Sequence, residues 1–174
     1  MKVRKTDPAV FVTDEKIVRV TKELIDTLRR EAPGSPRKRV RFRAHVRDDD
    51  TVQEMIIALA RDTYIVPHKH LDKCESFHVI EGEVDVVFFD DRGEIQDVVS
   101  MGDAKAGKAI FYRQNEPRFH AVVPQTDVVI FHETANGPFR KGDSVTAPWA
   151  PAKEGPEADR FMADLRKRLA ARPG

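Results

Sequence analysis

From residue 39 onward the hydrophobic period of the chain is two, and it stays so as far as residue 133. The run "RVRFRAHV" alternates Arg39, Arg41 and Arg43 with Val40, Phe42 and Ala44, the pattern of a half-buried strand. It is followed by "TVQEMIIALA", "TYIVPHKH", "ESFHVIEG", "EVDVVFFD", "EIQDVVS", "KAIFYR", "RFHAVV" and "DVVIFHE". Each is short, rich in apolar residues and bounded by turn residues such as "DDRGE", "MGD" and "PQTD". Eight or nine strands so closely spaced, with no helical pattern between them, predict an antiparallel β-barrel or sandwich.

Helical periodicity is confined to the two ends. In "TDEKIVRVTKELIDTLRREAPG", Ile17, Val20, Leu24, Ile25 and Leu28 form one apolar stripe, with Thr13 or Asp14 placed to cap its start. In "EADRFMADLRKRLAAR", Phe161, Met162, Leu165 and Leu169 share a face. The expected organisation is a helical segment over 1–36 packed on a barrel over 37–135, an extended arm over 136–156 and a helix over 157–174.

With 174 residues the chain forms one domain with appendages, large enough to bury roughly 70% of its unfolded surface without a covalent staple. A single cysteine, Cys74, excludes an intrachain disulfide and suits a reducing compartment. The net charge of +1 gives no general reason to expect nucleic acid or a membrane surface as partner. The longest apolar run, "MIIALA", is far too short to span a bilayer. A cytoplasmic protein with a small-molecule ligand is expected, and a homodimer is a reasonable assembly given the arm and the strand edges. The basic run "RKRVRFR" reads as a solvated edge strand whose charges block edge-to-edge pairing.

Chemistry concentrates in "VPHKHLDKCESFHVIEGEV". His68 and His70, two apart on a strand, project to the same side while Lys69 points away. Glu75 follows after a short excursion, and "EPRFHAVV" brings His120 on a distant strand. Three imidazoles and one carboxylate suit one divalent first-row metal ion, with Mn, Fe, Ni and Zn all compatible. Such a set leaves coordination positions for water or substrate.

His-x-His, Glu75 and Gly82 at these spacings resemble the first cupin motif, and "PRFH" is similar to a short form of the second that lacks its usual glycine. More closely, "VQEMIIALARDTYIVPHKH", "ESFHVIEGEVDVVFFDDRGE", "FHETANGPF" and "APWAP" resemble the WbuC family of cupin-fold metalloproteins, over roughly residues 35 to 151. That resemblance implies a mainly β cupin barrel (jelly roll, double-stranded β-helix) and a metal held by His68, His70, Glu75 and His120. It also implies a bacterial origin and a link to surface polysaccharide (O-antigen) biosynthesis.

Further candidates surround this set. His132 and Glu133 end the strand "DVVIFHE", and one of them must face inward, where it could serve as a catalytic acid or base or orient a ligand histidine. Tyr64, Tyr112 and Arg113 fall near strand ends, where they could hold a polar or anionic substrate. His78, three residues after Glu75, is expected on the opposite face, Cys74 is expected to be no ligand, and Asn136 in "ANGP" reads as turn chemistry. The expected function is a metal-dependent isomerase, epimerase or lyase for a small polar, sugar-related metabolite. The alternatives are a non-catalytic binding or sensing module and an iron-dependent dioxygenase.

Overall fold

The computed structural model describes residues 1–138, 140 and 142–172. Positions 139 and 141 of the expected arm, and 173 and 174 of the expected C-terminal helix, lie outside the described residues. Two facing sheets carry the fold. A seven-stranded sheet runs in the order β1 (Arg4–Asp7), β2 (Val10–Val12), β3 (Arg39–Arg43), β4 (Val52–Ala60), β11 (Val128–Asn136), β6 (Glu75–Glu81), β9 (Phe111–Gln114). The second, five-stranded, runs β12 (Ser144–Thr146), β5 (His68–His70), β10 (Phe119–Pro124), β7 (Glu83–Phe89), β8 (Ile95–Gly102). Neighbours are antiparallel except β2 and β3, which run parallel. The sheets enclose an interior without being hydrogen-bonded into one closed cylinder.

Several strands are apolar on both faces, so the fold has three cores rather than one. Between the sheets pack Leu59, Phe77, Val84, Val86, Phe88, Val122, Val129 and Phe131. On the outer face of the larger sheet, Val40, Phe42, Ile56, Ala58 and Ile130 pack against Leu24, Ile25 and Leu28 of helix α1 (Lys22–Glu31). On the outer face of the smaller sheet, Val87, Phe89, Phe119 and Val123 pack against Leu165, Phe161, Met162 and Leu169 of helix α2 (Pro156–Ala170). β4 shows how alternation serves both sides: Ile56 and Ala58 face the helix, whereas Ile57 and Leu59 face the interior.

The N-terminus departs from expectation. Residues 4–12 form a two-stranded hairpin that extends the larger sheet, and α1 starts only at Lys22. Ile17 and Val20, placed on the helical stripe by spacing, are 66% and 42% exposed. Ile17, Val18, Val20 and Thr21 are all β-branched, and such side chains lose rotamer freedom in a helix, so this stretch stays out of the helix. One consequence concerns "RKRVRFR". With β2 on one side and β4 on the other, β3 is an internal strand, so its arginines are not edge guards. Its apolar face turns to α1 and its arginine face turns into the interior.

Gly82 makes the crossing from β6 in one sheet to β7 in the other. It sits at φ +80°, and a Cβ there would lie 2.6 Å from the Val128 carbonyl oxygen. Only glycine meets both conditions without strain.

Leu28 is fully buried between α1 and β3. Leu28→Ala is expected to lower stability by about 2–5 kcal/mol in denaturant titration. Because the interior lies on the other side of the sheet, the metal stoichiometry of the folded variant should not change.

Candidate metal centre

β5 and β10 pair so that His68 stands directly opposite His120, and β12 pairs with β5 so that Ser144 stands opposite His70. The three imidazoles therefore come from adjacent strands of the smaller sheet. Glu75 begins β6 in the larger sheet and meets them from across the interior. Ligand atoms of His68, His70 and His120 all lie within 4.8 Å of one another. Glu75 places Oε2 3.3 Å from His70 Nε2 and Oε1 3.5 Å from His120 Nε2.

The outer nitrogen of each ring is already engaged. His68 Nδ1 lies 2.9 Å from the Val66 carbonyl oxygen, His120 Nδ1 lies 3.3 Å from that of Arg118, and His70 Nδ1 lies 2.8 Å from Ser144 Oγ. A carbonyl can only accept, so at His68 and His120 the proton sits on Nδ1 and Nε2 keeps its lone pair. His120 Nε2 is buried with no hydrogen-bond partner among the described residues. Lone pairs of two imidazoles and a carboxylate thus converge on a shared space, an arrangement that a cation stabilises and that otherwise leaves polar atoms unmatched.

The electrostatics agree. Burial, aided by His120, lowers His68 to about 4, and burial also lowers His120. Burial pushes Glu75 up, but the hydrogen bond to His70 and the histidine charges outweigh it and hold the group below the ordinary carboxylate range. Neutral imidazoles beside an ionised carboxylate are the protonation states in which these groups bind metal. Tyr112 donates from its hydroxyl to Glu75 Oε1 at 3.1 Å, and burial raises its pKa well above the ordinary value, so the phenol stays protonated as a donor.

A cavity of about 230 Å³ opens beside these residues, walled by Ile57, Leu59, Ile65, Phe77, Val122 and Phe131. A second compartment of about 310 Å³ is lined by Arg43, His45, Gln53, Lys73 and Ser144. Arg41, Met55, His70, Glu75 and Glu133 line both, so the histidine and carboxylate groups stand where the two meet.

The remaining sequence candidates separate cleanly. Glu133 faces the cavity, and burial followed by the charge of Glu75 raises it to about 8. His132 lies on the opposite face of β11, 3.6 Å from Glu54 Oε1, and is not a cavity residue, because alternation sends neighbours to opposite sides. Tyr64 is also outside the cavity: its ring packs against Phe161 of α2 and its hydroxyl donates to the Pro151 carbonyl at 2.6 Å. Tyr112 touches Glu75 and does not line the cavity. Arg113 is exposed and points its guanidinium at Cys74 Sγ (2.8 Å) and Asn115 Oδ1 (2.7 Å). His78 is exposed on the outer face, as spacing predicts.

Two contributors were not found by spacing. Arg39 and Arg41 line the cavity, although their strand reads as an edge. Asn136 is more than turn chemistry. Its Oδ1 accepts from the Cys74 N–H at 2.8 Å and its Nδ2 donates to the Asp72 carbonyl at 3.2 Å. It thereby pins the loop that connects His70 to Glu75. Nothing local to "ANGP" announces this, because the two ends of the bond are 62 residues apart.

Comparison with known proteins bears on the fold. A family model described as "Domain of unknown function (DUF6016)" matches residues 20–101, a stretch that contains His68, His70 and Glu75 but not His120. No curated protein matches the sequence. Among solved structures, an uncharacterized conserved protein with a double-stranded β-helix domain from Klebsiella pneumoniae is 16% identical. The alignment covers 77% of this chain and 98% of that one, with a TM-score of 0.50. A protein from Shewanella oneidensis is 14% identical over 75% of this chain and 81% of its own, at a TM-score of 0.49. A sugar phosphate isomerase from a cupin superfamily, from Silicibacter pomeroyi, is 21% identical over 51% and 52%, at 0.38. The chain has the cupin fold, a double-stranded β-helix with a helix on each outer face. Its three-histidine cluster is one that can hold a metal ion.

Three outcomes follow. A histidine whose pKa is depressed in the folded state takes up its proton at higher pH once unfolded, so the metal-free protein loses stability as pH falls from about 6.5 towards 4. The same depression weakens proton competition for the metal. Elemental analysis after dialysis at stepped pH should find metal retained at pH 6 and released on approach to about 4. Half-release already at pH 6 would contradict neutral, buried ligands. Asn136→Ala should weaken metal affinity by roughly tenfold in chelator competition, by loosening the loop that carries Glu75.

Proposed function

We propose that this chain is a cupin-type metalloenzyme that holds one divalent transition metal ion through His68, His70, His120 and Glu75 and acts on a small metabolite in the adjoining cavity. The observation that carries this reading is the convergence of three imidazoles on one another, two of them beside Glu75, with a buried His120 Nε2 that has no hydrogen-bond partner among the described residues. When bound, the ion would supply Lewis-acid polarisation of a substrate oxygen. The chain's own contribution is the rest. Val66, Arg118 and Ser144 fix the three rings, and Tyr112 orients the Glu75 carboxylate. The apolar walls offer a surface for the hydrocarbon part of a ligand. Glu133, raised to about 8, keeps a proton on its carboxyl at neutral pH and stands in the same cavity, placed to give it up or take it back.

This favours proton-transfer chemistry of the isomerase, epimerase or lyase type over passive binding, because a raised carboxylic acid beside a metal site has no evident structural duty. The resemblance to WbuC-type proteins supports a role near surface polysaccharide biosynthesis and with it a sugar-related substrate.

Incubating the metal-loaded protein with a small-metabolite extract and following the mixture by mass spectrometry provides the test. One or more metabolites should be consumed. Glu133→Gln should retain its metal and slow that consumption by about 10²–10⁴-fold. Equal consumption by both proteins would remove Glu133 from the chemistry, and a ligand retained unchanged by the wild type would leave a binding module.

A further inference from the structure

Three arginines of β3 alternate towards the interior, and two of them are spoken for. Arg43 donates to His45 Nε2 at 3.2 Å and pairs with Asp48. Arg39 donates from Nη1 to the Tyr64 carbonyl at 2.8 Å. The Arg41 side chain has no hydrogen bond or ion pair among the described residues. It nonetheless lines both compartments, alongside His70, Glu75 and Glu133, and remains open to solvent there. Glu133, which shares both compartments, makes no ion pair with it among the described residues, although the two side chains act on each other electrostatically.

A guanidinium presents five N–H donors in a planar fork and no acceptor. Left uncommitted beside a site of this kind, it calls for an anion, and its geometry matches a carboxylate bidentately. The other walls set the rest of the ligand. Ile57, Leu59, Ile65, Phe77, Val122 and Phe131 offer no donors or acceptors, so hydroxyl groups pressed against them would be buried unpaired. A cavity of about 230 Å³ lies below the roughly 300–1,000 Å³ of sites for drug-sized ligands, so the ligand is small.

We propose that the ligand of this site is a small carboxylic acid with a hydrocarbon body, its carboxylate held by Arg41 and its body laid against Ile57, Leu59, Phe77 and Phe131. This rests on the metal-dependent reading above and deepens it by naming the substrate class. The polar sugar suggested by the family resemblance is the competing occupant.

Calorimetry on the full chain loaded with cobalt(II) decides between them, with cobalt content measured on the same samples. Butyrate is titrated against its neutral isostere butyramide, inorganic phosphate and galactose. Butyrate should bind saturably and on the order of ten- to a hundredfold more tightly than butyramide, the range of a charge-assisted hydrogen bond. Arg41→Gln should lose that preference, Arg41→Lys should recover part of it, and Arg113→Gln, outside the cavity, should keep it. Cobalt uptake without a butyrate preference, or with stronger binding of phosphate or galactose, overturns this inference and leaves the metal reading intact. Failure of the wild type to take up cobalt overturns both. Should neither Arg41 variant fold, the comparison of butyrate with butyramide on the wild type still decides.

Discussion

Everything at the centre of this molecule depends on apolar cover being supplied from outside the sheets. A strand sends neighbouring side chains to opposite faces, so a sheet with one dry face must bury that face somewhere. Here α1 takes Val40, Phe42, Ile56, Ala58 and Ile130, and α2 takes Val87, Phe89, Phe119 and Val123. Because the strands are anchored from behind, the space between the sheets is free to hold histidines, carboxylates and arginines. Charged groups inside a lone sandwich would compete with the packing that keeps it folded. With helices on both outer faces, that conflict is relieved.

The second constraint is electrostatic. Glu75 is 5% exposed and His120 1%, a setting in which an isolated carboxylate would be driven to protonate. The hydrogen bond to His70, with the neighbouring histidines, holds it below the ordinary carboxylate range, while burial lowers His68 and His120. Glu133 lies in the same interior without such partners, and its pKa moves the other way. Two glutamates of one cavity are thus assigned different protonation states by their neighbours alone, which is how a single fold can hold both a ligand and an acid.

Much of this was legible in the chain. Periodicity located every strand from β3 to β11 to within a few residues, and the His-x-His spacing placed His68 and His70 on one face of β5. Alternation correctly turned His78 outward. What failed did so for a common reason: a period of two says that faces differ but not which face is inside. By composition the arginines of β3 read as the wet face, and only the position of α1 reverses that assignment. The same ambiguity left His132 and Glu133 undecided. Tyr64 was misplaced because its partner, Phe161, lies in α2, almost a hundred residues away. The β-branched run before Lys22 carries a helical stripe yet stays out of the helix, since spacing alone takes no account of rotamer entropy.

β12 is a short strand late in the chain, and it closes the edge beside His70. Its Ser144 supplies the contact that fixes the His70 ring. On the ribosome, His68, His70, Glu75 and His120 all emerge before it, so the donors exist for a time without the group that orients one of them. The hydrogen-bonded form of the His70 ring is therefore complete only once β12 has docked on β5.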